Sequence, residues 1–176
     1  MTDYTTIDAY GALTEPATLT IERLLSGPVE RVWDYLTKSE LRRQWLAAGD
    51  MEMRVGTPFT FTWRNDELSG GAEGRPEGHD AEHSMDSRIT EIDPPRKIAF
   101  EWGRSDGVTI TLEPRGEDVL LTLVHRRLPE DVLLSVAAGW HAHLGVMAAL
   151  VRGQAPAPFW AEWARLRADY AERLGK

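Results

Sequence analysis

The chain has 176 residues, with 20 Lys+Arg against 28 Asp+Glu and a formal net charge of −8. Such a surface repels phosphate backbones and anionic lipid headgroups, so neither nucleic acid nor a membrane is expected as a partner. With 42% hydrophobic and 27% charged residues the composition suits a folded domain, and the lack of cysteine excludes disulfides, thiolate metal sites and thiol nucleophiles.

The opening MTDYTTIDAY has no basic start or apolar run of the kind a signal peptide carries. The longest unbroken apolar stretch, around 146–151, is about eight residues, short of the roughly 20 that a membrane span needs. A soluble, cytoplasmic, acidic protein is expected. Residues 1–16 are polar, contain Gly11 and Pro16 and follow no period, which predicts a flexible arm ahead of a single domain over 17–176.

From Ala17 the pattern alternates, with Leu19 and Ile21 on one strand face. Gly27-Pro28 then opens a helix whose Val29, Val32, Trp33 and Leu36 follow helical spacing. Ser39 is placed to cap a second short helix carrying Leu41 and Trp45. After Gly49 the period becomes two. Phe59, Phe61 and Trp63 share one strand face, as do Ile98, Phe100 and Trp102, and likewise Val108, Ile110 and Leu112. Residues 82–92 read as a strand of undecided inner face, and 118–126 as one apolar on both faces. The stretch 65–81 holds four glycines and several charges, and its composition favours disorder over a lid. Past Pro129 a helical stripe runs through Val136, Trp140, Leu144 (or His143), Met147 and Val151, and a last helix over 156–174 carries Phe159, Trp163, Leu166 and Tyr170. Strands in series followed by helix argue α+β, with a curved antiparallel sheet closed by an apolar helix.

Five segments, in order, carry a family resemblance. They are ERLLSGPVERVWDYLTKSELRRQWL, MRVGTPFTFTW, EIDPPRKIAFEW, VTITLEPRGEDVLLTLVHRRLP and GWHAHLGVMAALVRG. Together they resemble the START-like, or SRPBCC, superfamily, in the branch related to the activator of Hsp90 ATPase. The resemblance implies a helix-grip fold, a sheet wrapped around a long C-terminal helix with an internal cavity. It also implies binding of lipids, polyketides or other apolar molecules, with a minority of cyclases and hydrolases. No catalytic motif is shared across the family. A chaperone-related interaction role is the third implication, although these 176 residues hold no counterpart of the co-chaperones' separate N-terminal domain.

On this reading Phe61, Trp63, Phe100, Trp102 and Trp140 meet between sheet and helix, where they either line a pocket or pack as plain core. Met147, on the same helix face, is open to the same two readings. Arg23 shares strand parity with Leu19 and Ile21, so its guanidinium aims inward at a carboxylate or bound anion, unless a bulge lets it escape to the surface. His83, His143, Glu101 or Asp86 could serve acid–base chemistry if burial shifted a pKa, with Glu101 placed toward solvent by its parity. His79 and His83, with Asp80 or Glu82, have ligand-like spacing only if helical, and His141 and His143 diverge on their helix, so no metal is expected. No cofactor motif is present, since the 70–78 glycines precede no helix. Trp160 and Tyr170 are assigned to the exposed side of the last helix, as a homodimer contact. The expected function is the binding of a small apolar or aromatic molecule between sheet and helix without catalysis. The alternatives are a cyclase- or hydrolase-type enzyme in the same pocket, and a protein-interaction module.

Overall fold

The computed structural model describes residues 10–176. Seven strands form one antiparallel sheet in the order β1-β2-β7-β6-β5-β4-β3. The strands are β1 (Ala12–Glu15), β2 (Thr18–Ser26), β3 (Pro58–Trp63), β4 (His83–Asp93), β5 (Lys97–Phe100), β6 (Val108–Arg115) and β7 (Asp118–His125). Between β2 and β3 come α1 (Val29–Thr37) and α2 (Ser39–Arg42), and α3 (Asn65–Ser69) follows β3. The chain ends with α4 (Leu133–Val151) and α5 (Phe159–Leu174). This is the α+β helix-grip architecture.

Period-two patterning places the sheet's inner face. Leu19, Ile21 and Leu25 of β2 are buried, as are Val108, Ile110 and Leu112 of β6, all facing one core. β7 sits between these strands and is apolar on both faces, with Leu120, Leu121 and Leu123 all buried. On β4 the undecided face resolves with Met85, Ser87 and Ile89 turned inward, while Asp86 and Arg88 are exposed. A bulge between Ile89 and Glu91 then resets the parity, so Ile92 also packs on the core.

Three expectations change. Residues 12–15 form an edge strand paired with β2 instead of a loose arm, while residues 1–9 of that arm lie outside the described residues. All four β1 side chains are exposed, so no buried face writes an alternation into the sequence. Ser39 does not cap α2, because its hydroxyl accepts the backbone N–H of Gly49 at 2.9 Å. The start of the 65–81 stretch is the ordered helix α3, which packs on α5.

α4 is buried on several sides, with Leu144 and Met147 fully so, because it lies between the sheet and α5. Its mean hydropathy of 1.4 makes it long and apolar enough to cross a membrane by composition, and half of that window is buried inside the fold. The eight-residue count missed this because Ser135, Gly139, His141, His143 and Gly145 interrupt the apolar run. The C-terminal carbonyls of α4 are tied down by Arg31, whose guanidinium donates to Val151 O at 2.9 Å.

Candidate functional site

Arg42 organises the turn that leads into the site. It is 1% exposed, and its guanidinium donates to the carbonyls of Ala47, Leu36, Thr37 and Gly49 while lying 5.6 Å from the Phe61 ring centroid. Burial lowers its pKa to about 10, which leaves it charged at neutral pH. A cation that satisfies two carbonyls at the end of α1 and two in the loop after α2 holds Trp45, Leu46 and Ala47 against the core. Nothing in the sequence distinguished Arg42 from its exposed neighbour Arg43.

Between the sheet, α4 and α5 lies a cavity of about 470 Å³, well inside the range of small-molecule sites. The sheet side supplies Trp63, at the end of β3, and Trp102, just beyond β5, with ring centroids 5.4 Å apart. α4 supplies Trp140, 5.0 Å from Trp102, together with His143 and Gly139. α5 supplies Phe159, Trp160 and Trp163. Gly78, His79, Asp80 and His83 form part of the rim, so the glycine-rich stretch contributes wall.

That stretch is held by a shared carboxylate. Asp66 accepts from Arg75 at 2.7 Å and from the Trp160 indole at 2.8 Å, while Ser69 Oγ accepts the Trp160 backbone N–H. Trp160 is therefore buried inside the chain, and so is Tyr170. Their assignment to an exposed dimer face is corrected. Trp163 and Tyr170 share the buried stripe of α5, whereas Trp160 turns toward Asp66 and Ser69 of α3, which lie more than 90 residues away along the chain.

Trp140 and Trp102 are oriented by a buried polar chain. The Trp140 indole can only donate, so His125 Nδ1, 3.0 Å away, is the acceptor and His125 carries its proton on Nε2. Nε2 then donates to Ser105 Oγ at 2.8 Å, and Ser105 donates in turn to the Trp102 carbonyl at 2.6 Å. Burial drives the His125 pKa down to about 3, so the chain is neutral and fully paired.

The sequence-derived candidates divide. Trp63, Trp102 and Trp140 line the cavity. Phe61, Phe100 and Met147 are buried core behind it, because the Trp63 and Trp102 rings stand between the two phenylalanines and the void. Arg23 does point inward, as its parity predicts, but at a different place. It donates to Glu22 O at 2.7 Å and acts electrostatically on His141 and Tyr170, so it takes no part in the cavity. There the Tyr170 hydroxyl accepts the Gly11 N–H at 2.7 Å and faces His141 Nδ1 at 2.9 Å, while burial and then the Arg23 charge lower the His141 pKa to about 4.

Of the acid–base candidates, His83 stacks on Trp63 at the rim and His143 reaches the wall, whereas Glu101 and Asp86 are exposed. No group of three metal-ligating side chains occurs among the described residues. The contribution of α5 was the main omission. Its signal was the density of Phe159, Trp160 and Trp163 within five residues.

The sequence model of the family described as "Activator of Hsp90 ATPase homolog 1-like protein" matches residues 26–152. A Bordetella parapertussis protein known from a solution NMR structure is 35% identical, with a TM-score of 0.78 over 93% of this chain and 90% of its own. CalU16 from Micromonospora echinospora is 18% identical, with a TM-score of 0.64 over 95% of this chain and 96% of its own. DynU16, of the dynemicin biosynthetic locus, is 18% identical, with a TM-score of 0.61 over 79% of this chain and 49% of its own. The last two show a common fold. No curated protein matches the chain.

Proposed function

We propose that this chain, which belongs to the activator of Hsp90 ATPase homolog 1-like family, binds a small apolar or aromatic molecule in the cavity between sheet, α4 and α5 without transforming it. The observation that carries the proposal is Gly139. It sits inside α4, on the cavity wall, and a Cβ added there would meet nothing within 4 Å. Glycine in a helix interior costs about 1 kcal/mol relative to alanine, and here no neighbouring atom demands it. Space beside five tryptophans and a phenylalanine is what the residue provides. Flat apolar molecules gain most from such walls.

The test is calorimetric titration with neutral fused-ring aromatics such as naphthalene derivatives. Trp63→Ala is expected to weaken binding at least tenfold, and Gly139→Leu to block it while the fold is kept. Binding that survives both substitutions unchanged places the site elsewhere.

A second reading, an enzyme of cyclase or hydrolase type in the same cavity, rests on His143, whose pKa burial lowers to about 4. DynU16, a structural neighbour, comes from a biosynthetic locus. Turnover of a bound aromatic that stops in His143→Gln would favour it over simple carriage. The interaction-module reading has less support, since it predicts a filled interior and the cavity is open.

A further inference from the structure

The polar groups of the cavity wall are unevenly spent. Three of its five tryptophans have already given their indole N–H to protein acceptors: Trp140 to His125, Trp160 to Asp66 and Trp163 to the Ser135 carbonyl at 3.2 Å. His143 is in the opposite condition. Its Nδ1 lies 2.7 Å from the Trp45 carbonyl, and a carbonyl can only accept, so Nδ1 carries the proton and Nε2 the lone pair. The ring is held in that plane by Phe159, whose centroid is 4.4 Å away.

Nε2 has no partner among the described residues, and it is not sealed off as a fully buried atom would be. His143 is only 6% exposed and lines the cavity, so what is open at Nε2 opens into that space. Unpaired acceptors in an apolar site cost free energy until a donor reaches them.

Charge narrows the choice further. Among the described residues no lysine or arginine lines the cavity, and the one acidic lining residue is Asp80 at the rim. An anionic ligand would enter such a site without a counter-charge. Burial keeps the His143 imidazole neutral at physiological pH, which preserves the lone pair and supplies no compensating positive charge.

Resting on the binding reading above, we infer that the cavity selects a flat, uncharged aromatic molecule bearing a hydrogen-bond donor, a phenolic hydroxyl or ring N–H, which it presents to His143 Nε2. The aromatic walls supply affinity, and His143 supplies discrimination. A site built around a buried acceptor favours a donor over an otherwise similar molecule that lacks one, because the latter leaves the acceptor unpaired.

Three probes test this by calorimetry on the intact chain: 2-naphthol, 2-methoxynaphthalene and 2-naphthoate. 2-Naphthol is expected to bind roughly five- to tenfold more tightly than the methoxy compound, as one neutral hydrogen bond predicts, and 2-naphthoate more weakly than either. His143→Phe retains a ring against Phe159 and removes the acceptor. It should lose the preference for 2-naphthol over 2-methoxynaphthalene, whatever change in affinity the two probes share. Equal affinity of the wild type for 2-naphthol and 2-methoxynaphthalene, a preference that persists in His143→Phe, or tightest binding of 2-naphthoate overturns the inference while leaving the cavity as the binding site. Failure of all three probes to bind overturns the cavity reading, and this inference with it. The wild-type comparison decides the question even if the variant does not fold.

Discussion

Lowering the pH from 7 to 5 should destabilise this protein through its buried histidines. His125 and His143 have folded-state pKa values lowered by burial to about 3 and about 4, against 6.5 when exposed. A depressed folded pKa means that the unfolded chain takes up protons that the native state refuses. The stabilisation is therefore complete above the unfolded pKa and is lost as pH falls toward the folded one. Each group contributes a slope of about 1.4 kcal/mol per pH unit below 6.5, so each loses about 2 kcal/mol between pH 7 and pH 5. Together they account for about 4 kcal/mol, a large share of the 5–15 kcal/mol typical of a whole domain. Half-buried His141, lowered to about 4, adds less because water screens it.

The assay is urea unfolding at pH 7, 6 and 5, a window above the ordinary carboxylate range. The control is the double variant His125→Gln/His143→Gln, which keeps hydrogen-bonding groups and cannot titrate. The variant is expected to be less stable than wild type at pH 7 and to lose much less on acidification. Equal losses in the two proteins, or a wild-type stability flat across the window, would refute the reasoning.

Gly139→Ala should raise stability by about 0.5–1 kcal/mol in thermal unfolding, because it fills empty space and improves helix propensity. Gly49→Ala should do the reverse, by more than about 1 kcal/mol. Gly49 has a φ of 142°, and its Cβ would overlap the Thr60 carbonyl beside the Ala48–Thr62 bridge. Arg42→Met removes a buried cation and strands four carbonyls, for an expected loss of roughly 3–5 kcal/mol by urea unfolding. A loss under 1 kcal/mol would mean that water reaches those carbonyls.

The sheet and its closing helix were legible because burial on one face writes itself into the sequence. Phe59, Phe61 and Trp63 alternate, as do Val108, Ile110 and Leu112, and each set is buried as its parity requires. β1 was invisible because pairing an exposed edge needs backbone groups and no apolar side chains. The site was half legible. Strand parity put Trp63 and Trp102, and the α4 stripe put Trp140, at the sheet–helix boundary, and they line the cavity. The same patterns put Phe61, Phe100 and Met147 there, and they cannot separate a side chain at the void from one a layer behind it. That division depends on how the Trp63 and Trp102 rings fold over their neighbours. The α5 wall depended on a tertiary event, the capture of Trp160 by Asp66 and Ser69, whose partners lie 94 and 91 residues away along the chain. Arg23 illustrates the same limit. Its inward aim was correct, but the place it reaches is set by Tyr170 and His141, which arrive from the far end of the chain.

The seven tryptophans offer the most direct test of the central claim, since five line the cavity and Trp33 and Trp45 do not. Each indole N–H gives its own signal in a ¹H–¹⁵N spectrum, and 2-naphthol can be titrated against all seven at once. The account predicts progressive shifts at Trp63, Trp102, Trp140, Trp160 and Trp163, with Trp33 and Trp45 little changed. Shifts confined to Trp33 and Trp45, or no shift at any indole at saturating 2-naphthol, would contradict it.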